Sequence, residues 1–418
     1  MKSSIIEKTE NKKGYKKTKL GWIPEDWEVV KLGNIATEIN DKVGTKQRTP
    51  MSLSAGKGFV AQAKKFGKDI AGKQYAQYTC LPPRTFAYNK GNSLKYPQGC
   101  IYQQPFNEEV AVPNVFICFA LDKKRCNNNF YEQLFKNNAQ GKELFKYINS
   151  GVRNDGLLNL NDNNFFKIKL VLPPLNEQEK IAEILSAWDD GIETLEKLIE
   201  QKDVFHKALM KNLLIGKIRL SEFRSKLTHS KFNSIFERIT RKNEELNSNI
   251  LTISAQNGLI SQKDFYNKRI ASVDTSKYIL LKNGEFAYNK SYSNGYPLGA
   301  IKRLDLYEKG VVSSLYICFK LNNSDNCSDF WKYYFEAGML NREIKMIAQE
   351  GARNHGLLNM ATEDFFNMLL YHPKDSKEQQ KIAEILNKSD KEIQLLNSKL
   401  EKLKEQKKGL MQKLLTGQ

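Results

Sequence analysis

Two short stretches of the chain carry residue types that hold phosphates in nucleotide-dependent enzymes. Residues 67–73 have the glycine and lysine spacing of a phosphate-binding loop. Gln74 follows, where such loops place the Ser or Thr that holds magnesium, and residues 267–273 in the second half have no glycine. Residues 56–61 resemble a dinucleotide-binding loop but lack the apolar strand that precedes one. Both stretches are interpreted as turns.

Other catalytic or metal-binding patterns are not recognised in the sequence. The four histidines (His206, His229, His355 and His372) stand far apart, and the six cysteines include no C-x-x-C pair. Cys118 and Cys318 lie in matching apolar runs, which is typical of buried thiols. The chain is therefore predicted to be no enzyme and to hold no metal or cofactor of its own.

A cluster of polar, basic and aromatic residues recurs in both halves. Tyrosine offers flat contact area, lysine offers charge, and asparagine and serine offer hydrogen bonds to phosphates and base edges. The predicted DNA-contacting residues are Tyr88, Asn89, Lys90, Ser93, Lys95 and Arg153 in the first half, and Tyr288, Asn289, Lys290, Ser291, Tyr292, Asn294 and Arg353 in the second. The alternative is that Tyr-Asn-Lys is a turn and the tyrosines are core. For the two arginines, a phosphate contact and a hydrogen bond that closes a loop are both open.

The charge of the chain favours a polyanionic partner. The net charge is +19, from 66 Lys and Arg against 47 Asp and Glu in 418 residues. Part of this excess lies in the Lys-rich residues 1–19, either as a solvated tail or as a non-specific phosphate contact. No apolar run is long enough for a membrane span or a secretory signal, so a cytoplasmic protein is expected.

The chain is a tandem duplication with an offset of 200 residues. Phe-Ala-Tyr-Asn-Lys occurs at residues 86–90 and again at 286–290, and Gly-Leu-Leu-Asn occurs at 156–159 and 356–359. Residues identical in both copies suit phosphates better than bases, because the two domains can read different sequences. Base reading is therefore predicted where the copies differ, at residues 56–76 and 256–276.

Each copy ends in a long amphipathic segment, at residues 175–216 and 376–417. Apolar residues recur in alternating steps of three and four, which predicts two coiled-coil helices that cover each other's apolar face. The predicted seam consists of Ile181, Leu185, Trp188, Ile192, Leu195, Ile199, Leu209 and Leu213 in the first helix, and Ile382, Leu386, Ile393, Leu396, Leu400, Leu403, Leu410 and Leu414 in the second. Lys202, His206, Ser389 and Lys407 fill its polar gaps.

The predicted fold class is α+β, with two duplicated globular domains, each followed by a long helix, and the two helices pairing as an antiparallel coiled coil. Short apolar runs at residues 110–120 and 310–320 predict strands, and residues 130–149 and 329–349 predict one helix in each copy. A final strand over residues 166–172 runs into Pro173-Pro174. The predicted boundaries are a basic tail (1–19), a first domain (20–174) and helix (175–217), and a second domain (218–375) and helix (376–418).

The sequence resembles the specificity subunits of type I restriction–modification systems, often called HsdS. The resemblance rests on Gly-Trp-Ile-Pro-Glu-Asp-Trp-Glu at residues 21–28, Leu-Pro-Pro-Leu-Asn-Glu-Gln at 172–178 and the repeated Phe-Ala-Tyr-Asn-Lys. The second copy departs from this pattern, since it has Tyr-His-Pro-Lys-Asp at 371–375 and no Gly-Trp-Ile-Pro. The resemblance covers nearly the whole chain.

The resemblance implies a function that the residues alone do not. Each globular half would be a target-recognition domain, and the helices would be an antiparallel spacer on which two methyltransferase subunits dock, together with restriction subunits. S-adenosylmethionine, ATP and magnesium would bind to those partners only. The chain would read a bipartite asymmetric site in double-stranded DNA, with the half-sites about 34 Å apart. A complete methyltransferase and an RNA-binding or coiled-coil scaffold are the alternatives.

Overall fold

The computed structural model describes residues 13–67, 72–91, 96–148, 157–254, 258–263, 274–291, 295–323, 325–348 and 358–417. The chain divides into two compact units, and each long helix contributes to both. The first unit contains residues up to Leu195 together with those from Lys399 onward, and the second contains Glu196–Ser398. The predicted α+β class is confirmed.

The first unit is built around a four-stranded antiparallel sheet of order β4-β11-β8-β9, with the pairs β1-β2, β3-β12, β5-β6 and β7-β10 around it. Its strands are β1 (Tyr15–Thr18), β2 (Gly21–Pro24), β3 (Glu28–Lys31), β4 (Ala36–Glu38), β5 (Met51–Ser54), β6 (Gly58–Ala61), β7 (Thr79–Leu81), β8 (Phe86–Asn89), β9 (Cys100–Gln103), β10 (Val110–Val112), β11 (Ile117–Leu121) and β12 (Lys169–Leu172). Its short helices are α1 (Gln62–Phe66), α2 (Asn128–Lys136), α3 (Gly141–Phe145) and α4 (Asp162–Phe165). The first long helix is α5 (Leu175–Leu214).

The second unit repeats this plan. Its four-stranded sheet has the order β14-β21-β18-β19, and β13-β22, β15-β16 and β17-β20 pair beside it. Its strands are β13 (Leu227–Lys231), β14 (Phe236–Arg238), β15 (Leu251–Ser254), β16 (Gly258–Ser261), β17 (Ile279–Lys282), β18 (Phe286–Asn289), β19 (Ala300–Arg303), β20 (Lys309–Val312), β21 (Ile317–Leu321) and β22 (Leu369–Pro373). Its short helices are α6 (Phe232–Ile235), α7 (Ser328–Glu336), α8 (Asn341–Ile347) and α9 (Thr362–Asn367), and the second long helix is α10 (Ser376–Leu414).

Two details of the sequence-based prediction are wrong. The helix predicted over residues 130–149 is two helices, α2 and α3, because Asn138 adopts a left-handed conformation with φ of 55°. In the second unit Gly338, with φ of 67°, ends α7 in the same way. The final strand of the first domain is shorter than predicted, since Phe166 and Lys167 form the turn after α4 and β12 begins at Lys169.

The ends of both long helices pack into the core of each unit. In the first unit Ile181 and Leu185 of α5 share one buried cluster with Leu415, and Leu410 and Leu414 of α10 pack against it. In the second unit the buried cluster contains Met210, Leu213 and Leu214 from the other end of α5, and Ile382, Ala383 and Leu386 from the start of α10. Each globular domain is thus completed by segments of both helices.

The helix segments of the second unit run antiparallel. Lys202 lies 2.7 Å from Glu392, and His206 lies 3.1 Å from Asp390, so residue numbers rise on one helix as they fall on the other. Every residue of the predicted seam is buried or half-buried. Two of the predicted polar gap residues, Lys202 and His206, therefore meet acids across this pair of segments.

Leu396→Asp and Leu195→Asp should lower the free energy of unfolding by about 2 kcal/mol or more, because each places a charge in an apolar seam without a partner. Leu195 is buried and Leu396 half-buried. Leu395→Asp is the matched control, since Leu395 is the neighbouring residue and is 71% exposed. Its effect should stay within about 0.5 kcal/mol. Urea unfolding followed by circular dichroism makes the comparison, and equal losses for Leu395→Asp and Leu396→Asp would contradict the seam.

Candidate nucleic-acid interface

The repeated Phe-Ala-Tyr-Asn stretches form β8 and β18, which lie inside the two four-stranded sheets. Tyr88 and Tyr288 are fully buried. Their rings stack on Phe165 and Phe365, with centroids 4.8 and 5.2 Å apart. Burial raises the pKa of both phenols, so each remains a neutral donor. The prediction that these two tyrosine side chains contact DNA is wrong, because their rings belong to the core.

Each buried tyrosine also requires a glycine. The Tyr88 hydroxyl donates to the Gln98 carbonyl and the Tyr288 hydroxyl to the Leu298 carbonyl, both at 2.8 Å. The next residues are Gly99 and Gly299, with φ of 76° and 78°. A Cβ at either would lie within 3.0 Å of the tyrosine ring and of a backbone oxygen on the neighbouring strand. The repeated Gly99 and Gly299 are therefore required by the packing of the two tyrosines.

The asparagines that follow the tyrosines shape the strand ends. Asn89 accepts a hydrogen bond from the Gly91 amide and donates one to the Leu53 carbonyl, both at 2.8 Å. Asn289 accepts from the Ser291 amide at 3.0 Å. These are local side-chain to backbone bonds of the kind that stabilise turns. The turn interpretation therefore accounts for these asparagine contacts.

Lys90 already contacts an acidic side chain, so a contact between Lys90 and a DNA phosphate would compete with that acid. Its ammonium lies 3.0 Å from the Asp162 carboxylate at the start of α4, and its side chain is 18% exposed. Lys290 accepts a backbone hydrogen bond from Leu358 through its carbonyl oxygen. A phosphate contact by these two lysines stays a prediction. The predicted contacts Ser93, Lys95, Arg153, Tyr292, Asn294 and Arg353 lie outside the described residues.

Each unit has an open cleft at an equivalent place in the repeat. The first, of about 1030 Å³, is lined by Gln47, Arg48, Thr49, Pro50, Gly72, Tyr75, Glu108 and Glu109. The second, of about 540 Å³, is lined by Leu246, Asn247, Ser248, Asn249, Ile250, Ser261, Gln262, Lys263, Asp274 and Thr275. Parts of the predicted base-reading segments, 56–76 and 256–276, line these clefts. Residues 47–50 and 246–250 were not predicted.

The ion pair at the first cleft differs from the ion pair near the equivalent place in the second unit. In the first unit the Arg48 guanidinium donates to Glu109 at 2.8 and 3.0 Å, and this bond lowers the pKa of the Glu109 carboxyl. In the second unit Lys309 occupies the position equivalent to Glu109, and it lies 2.9 Å from Glu245, whose pKa it lowers. The backbone is thus repeated while the polar groups are exchanged. That difference was visible in the sequence, where Glu109 and Lys309 align.

Part of the chain matches a known protein family. Residues 24–202 match the family described as the type I restriction modification DNA specificity domain. The putative type I restriction enzyme MjaX specificity subunit of Methanocaldococcus jannaschii is 27% identical over 208 residues, 48% of each chain. The first half of the chain is therefore similar to type I restriction enzyme specificity subunits. Its alignment spans about half the length of this curated relative.

Two solved structures share the fold over most of this chain. The S subunit of the type I restriction–modification system from M. genitalium has a TM-score of 0.52 and 13% identity, covering 93% of this chain and 96% of that one. A chain described under complex assembly and conformational transition of the type I R-M system has a TM-score of 0.56 and 11% identity, covering 94% and 99%. At these identities the likeness concerns the fold alone.

Among the residues that the structure describes, no group of three or more His, Cys, Asp or Glu side chains could hold a metal ion, and no helix is apolar enough over a sufficient length to cross a membrane. The six cysteines are free thiols, five of them buried. Burial raises the pKa of Cys118 and Cys318 to about 12, which makes both poor nucleophiles.

Tyr88→Phe and Tyr288→Phe should each lower the free energy of unfolding by about 1 kcal/mol, because each leaves a carbonyl without its hydrogen bond. Neither should change DNA affinity, since neither hydroxyl reaches the surface. Thermal unfolding and a DNA titration at fixed salt measure the two quantities. A loss of affinity without a loss of stability would return these tyrosines to the DNA interface.

Proposed function

We propose that this chain reads a bipartite asymmetric site in double-stranded DNA, one half-site with each globular unit. The observation that carries the proposal is the same sheet order occurring twice with different polar residues in equivalent clefts. A repeated scaffold presents both surfaces in the same way, and exchanged side chains allow two different sequences to be read. The net charge of +19 supplies attraction to the DNA backbone.

In this proposal the chain is a recognition subunit without catalytic activity. It positions two methyltransferase subunits, and restriction subunits join the complex. S-adenosylmethionine, ATP and magnesium then bind to those partners and not to this chain. The likeness over about half of the chain to a relative named as a putative type I restriction enzyme specificity subunit supports this assignment. The long helices α5 and α10 are the proposed spacer between the recognition domains.

Methyl transfer by the purified chain, alone and with type I methyltransferase subunits, tests the proposal. The chain alone should transfer no methyl groups, whereas the complex should methylate one interrupted, asymmetric sequence. Sequencing that detects modified bases, applied to DNA from cells that carry the complex, would define the two half-sites. Methyl transfer by the isolated chain would favour the enzyme alternative. Stronger binding to single-stranded RNA than to duplex DNA would favour the RNA-binding alternative.

Lys90→Ala and Lys290→Ala should weaken binding to many DNA sequences and reduce the slope of log affinity against log salt by about 1 each. A variant of the ion pair between Lys90 and Asp162 should have the opposite effect. Asp162→Asn removes the acid beside Lys90 and should strengthen binding and steepen the slope. Affinity titrations between low and moderate salt give both slopes. A changed sequence preference with an unchanged slope would mean that the lysines read bases.

A chain that ends at Gly216 should form a homodimer. It keeps the first domain and α5 but loses Leu410, Met411, Leu414 and Leu415, which pack on the core of the first unit. In the second unit Met210, Leu213 and Leu214 of α5 take the equivalent places. The end of α5 from a second copy can therefore replace the end of α10, and two identical domains would then face DNA in opposite senses.

The expected target of this dimer is an interrupted palindrome built from the first half-site alone. Light scattering gives the mass, and methylation mapping with the methyltransferase partner gives the target. Leu213→Asp in the shortened chain is the control, because it should prevent the dimer and the methylation together. A monomer that methylates, or an asymmetric site, would contradict the equivalence of the two halves.

A further inference from the structure

Two acids on the long helices make equivalent contacts with the recognition domains. Asp189 lies on α5 and Asp390 lies on α10, at matching positions of the repeated helices. Asp189 accepts a hydrogen bond from Gln133 of α2 at 2.7 Å, and Asp390 accepts one from Tyr333 of α7 at 2.6 Å. Gln133 and Tyr333 are themselves equivalent, being 200 residues apart. Each acid therefore binds one helix of the adjacent domain.

The second oxygen of each acid meets the other long helix. Asp189 forms an ion pair with Lys407 of α10. Asp390 lies 3.1 Å from Nε2 of His206 on α5. We call Gln133, Asp189 and Lys407 the first clamp, and Tyr333, Asp390 and His206 the second clamp. Each clamp joins three elements of one unit: a recognition-domain helix and segments of both long helices.

The hydrogen-bond donors of the two clamps are buried, so their bonds to the aspartates restrict the direction of each contact. Gln133 and Tyr333 are only 3% and 2% exposed, so each needs its acceptor in the folded protein. Burial and the bond to Asp390 raise the pKa of Tyr333, which keeps its proton available for donation. Other polar contacts lie at the start of each long helix, where Trp27 donates to Glu177 at 2.8 Å and Arg219 lies 2.8 Å from Glu378. Apolar packing of residues such as Leu185 and Leu386 is not directional. Each clamp, in contrast, joins a domain helix to both long helices at once and so restricts the angle between them.

The two clamps have the same arrangement, although the residues that contact the aspartate differ. Lysine in the first clamp is replaced by histidine in the second, and glutamine by tyrosine, while the acid stays aspartate. The second clamp is also connected to the four-stranded sheet of the second unit. Asn387, 2.8 Å from the Tyr333 hydroxyl, donates to Asp329 at 2.9 Å, and Asp329 lies 2.8 Å from Arg303 of β19. This chain of contacts links α10 to a strand of the four-stranded sheet.

We infer that Asp189 and Asp390 are positioning residues that set the angle of each recognition domain on the helices, and thereby the spacer length accepted between the half-sites. This inference rests on the proposed bipartite function. A rotation of roughly 10° moves a domain surface roughly 20 Å away by roughly 3.5 Å. That distance is about one base-pair step of 3.4 Å. Loss of a clamp therefore permits binding at a neighbouring spacer length without any change in the bases read.

The test uses the full chain with its methyltransferase subunits and a DNA library in which the two half-sites are separated by different spacer lengths. The unmodified protein should methylate one spacer length. Asp189→Ala and Asp390→Ala should keep both half-sites, and their preference for the native spacer over its neighbours should fall about tenfold. Asp190→Ala and Glu384→Ala are matched controls, because each removes an exposed acid from the same helix. Both should retain the native preference.

A double variant distinguishes a positioning role of the clamp from a general effect on stability. His206→Lys with Tyr333→Gln builds the first clamp's residues into the second, and it should restrict the spacer as the unmodified protein does. If an alanine variant does not fold, the corresponding Asp→Asn variant, which retains an acceptor but loses the negative charge, gives the same readout. Folded variants with unchanged spacer preference would overturn the inference, and so would altered half-sites. Failure of the unmodified protein to methylate any bipartite site would instead refute the proposed function.

Discussion

The burial of the long-helix ends in the domain cores is the contact on which the architecture depends. A helix with an apolar stripe needs a partner, and here the stripe is covered in two ways. Toward the ends it enters the globular domains, where Ile181 and Leu185 meet Leu415 in one unit and Leu213 meets Ile382 and Leu386 in the other. Between those ends the seam residues are buried or half-buried. The domains and the helices are therefore not separable modules.

This arrangement explains what the duplication preserves. The strongest identities between the copies, around Tyr88 and Tyr288, are interior strands whose side chains pack on Phe165 and Phe365. Glu109, which lines the first cleft, is replaced by Lys309 at the equivalent position of the second copy. A core tolerates few changes because it is closely packed, whereas a surface is free to change. Identity between the halves thus indicates the core, and difference indicates the surface where recognition can diverge.

Polar residues on the helices have a different task from the apolar ones around them. Apolar packing supplies most of the free energy but defines orientation weakly, whereas a buried hydrogen bond has a narrow range of distance and angle. Asp189 and Asp390 each contact a buried donor and a basic side chain at once. A few polar groups in an apolar contact can therefore determine how two elements are oriented, as a single polar seam position does in coiled coils.

The sequence alone determined the duplication, the two long helices and the α+β class, because repeats and periodic apolar residues are local properties of a chain. It also showed the polar gaps at His206 and Lys407, but not their acidic partners, which are more than 180 residues away in the chain. Only the tertiary structure decided that Tyr88 and Tyr288 are buried and that Lys90 is paired with Asp162. The sequence Tyr-Asn-Lys can occur in a core strand as well as on a binding loop. Its burial depends on which distant side chains pack over it, and a periodic pattern carries no information about them.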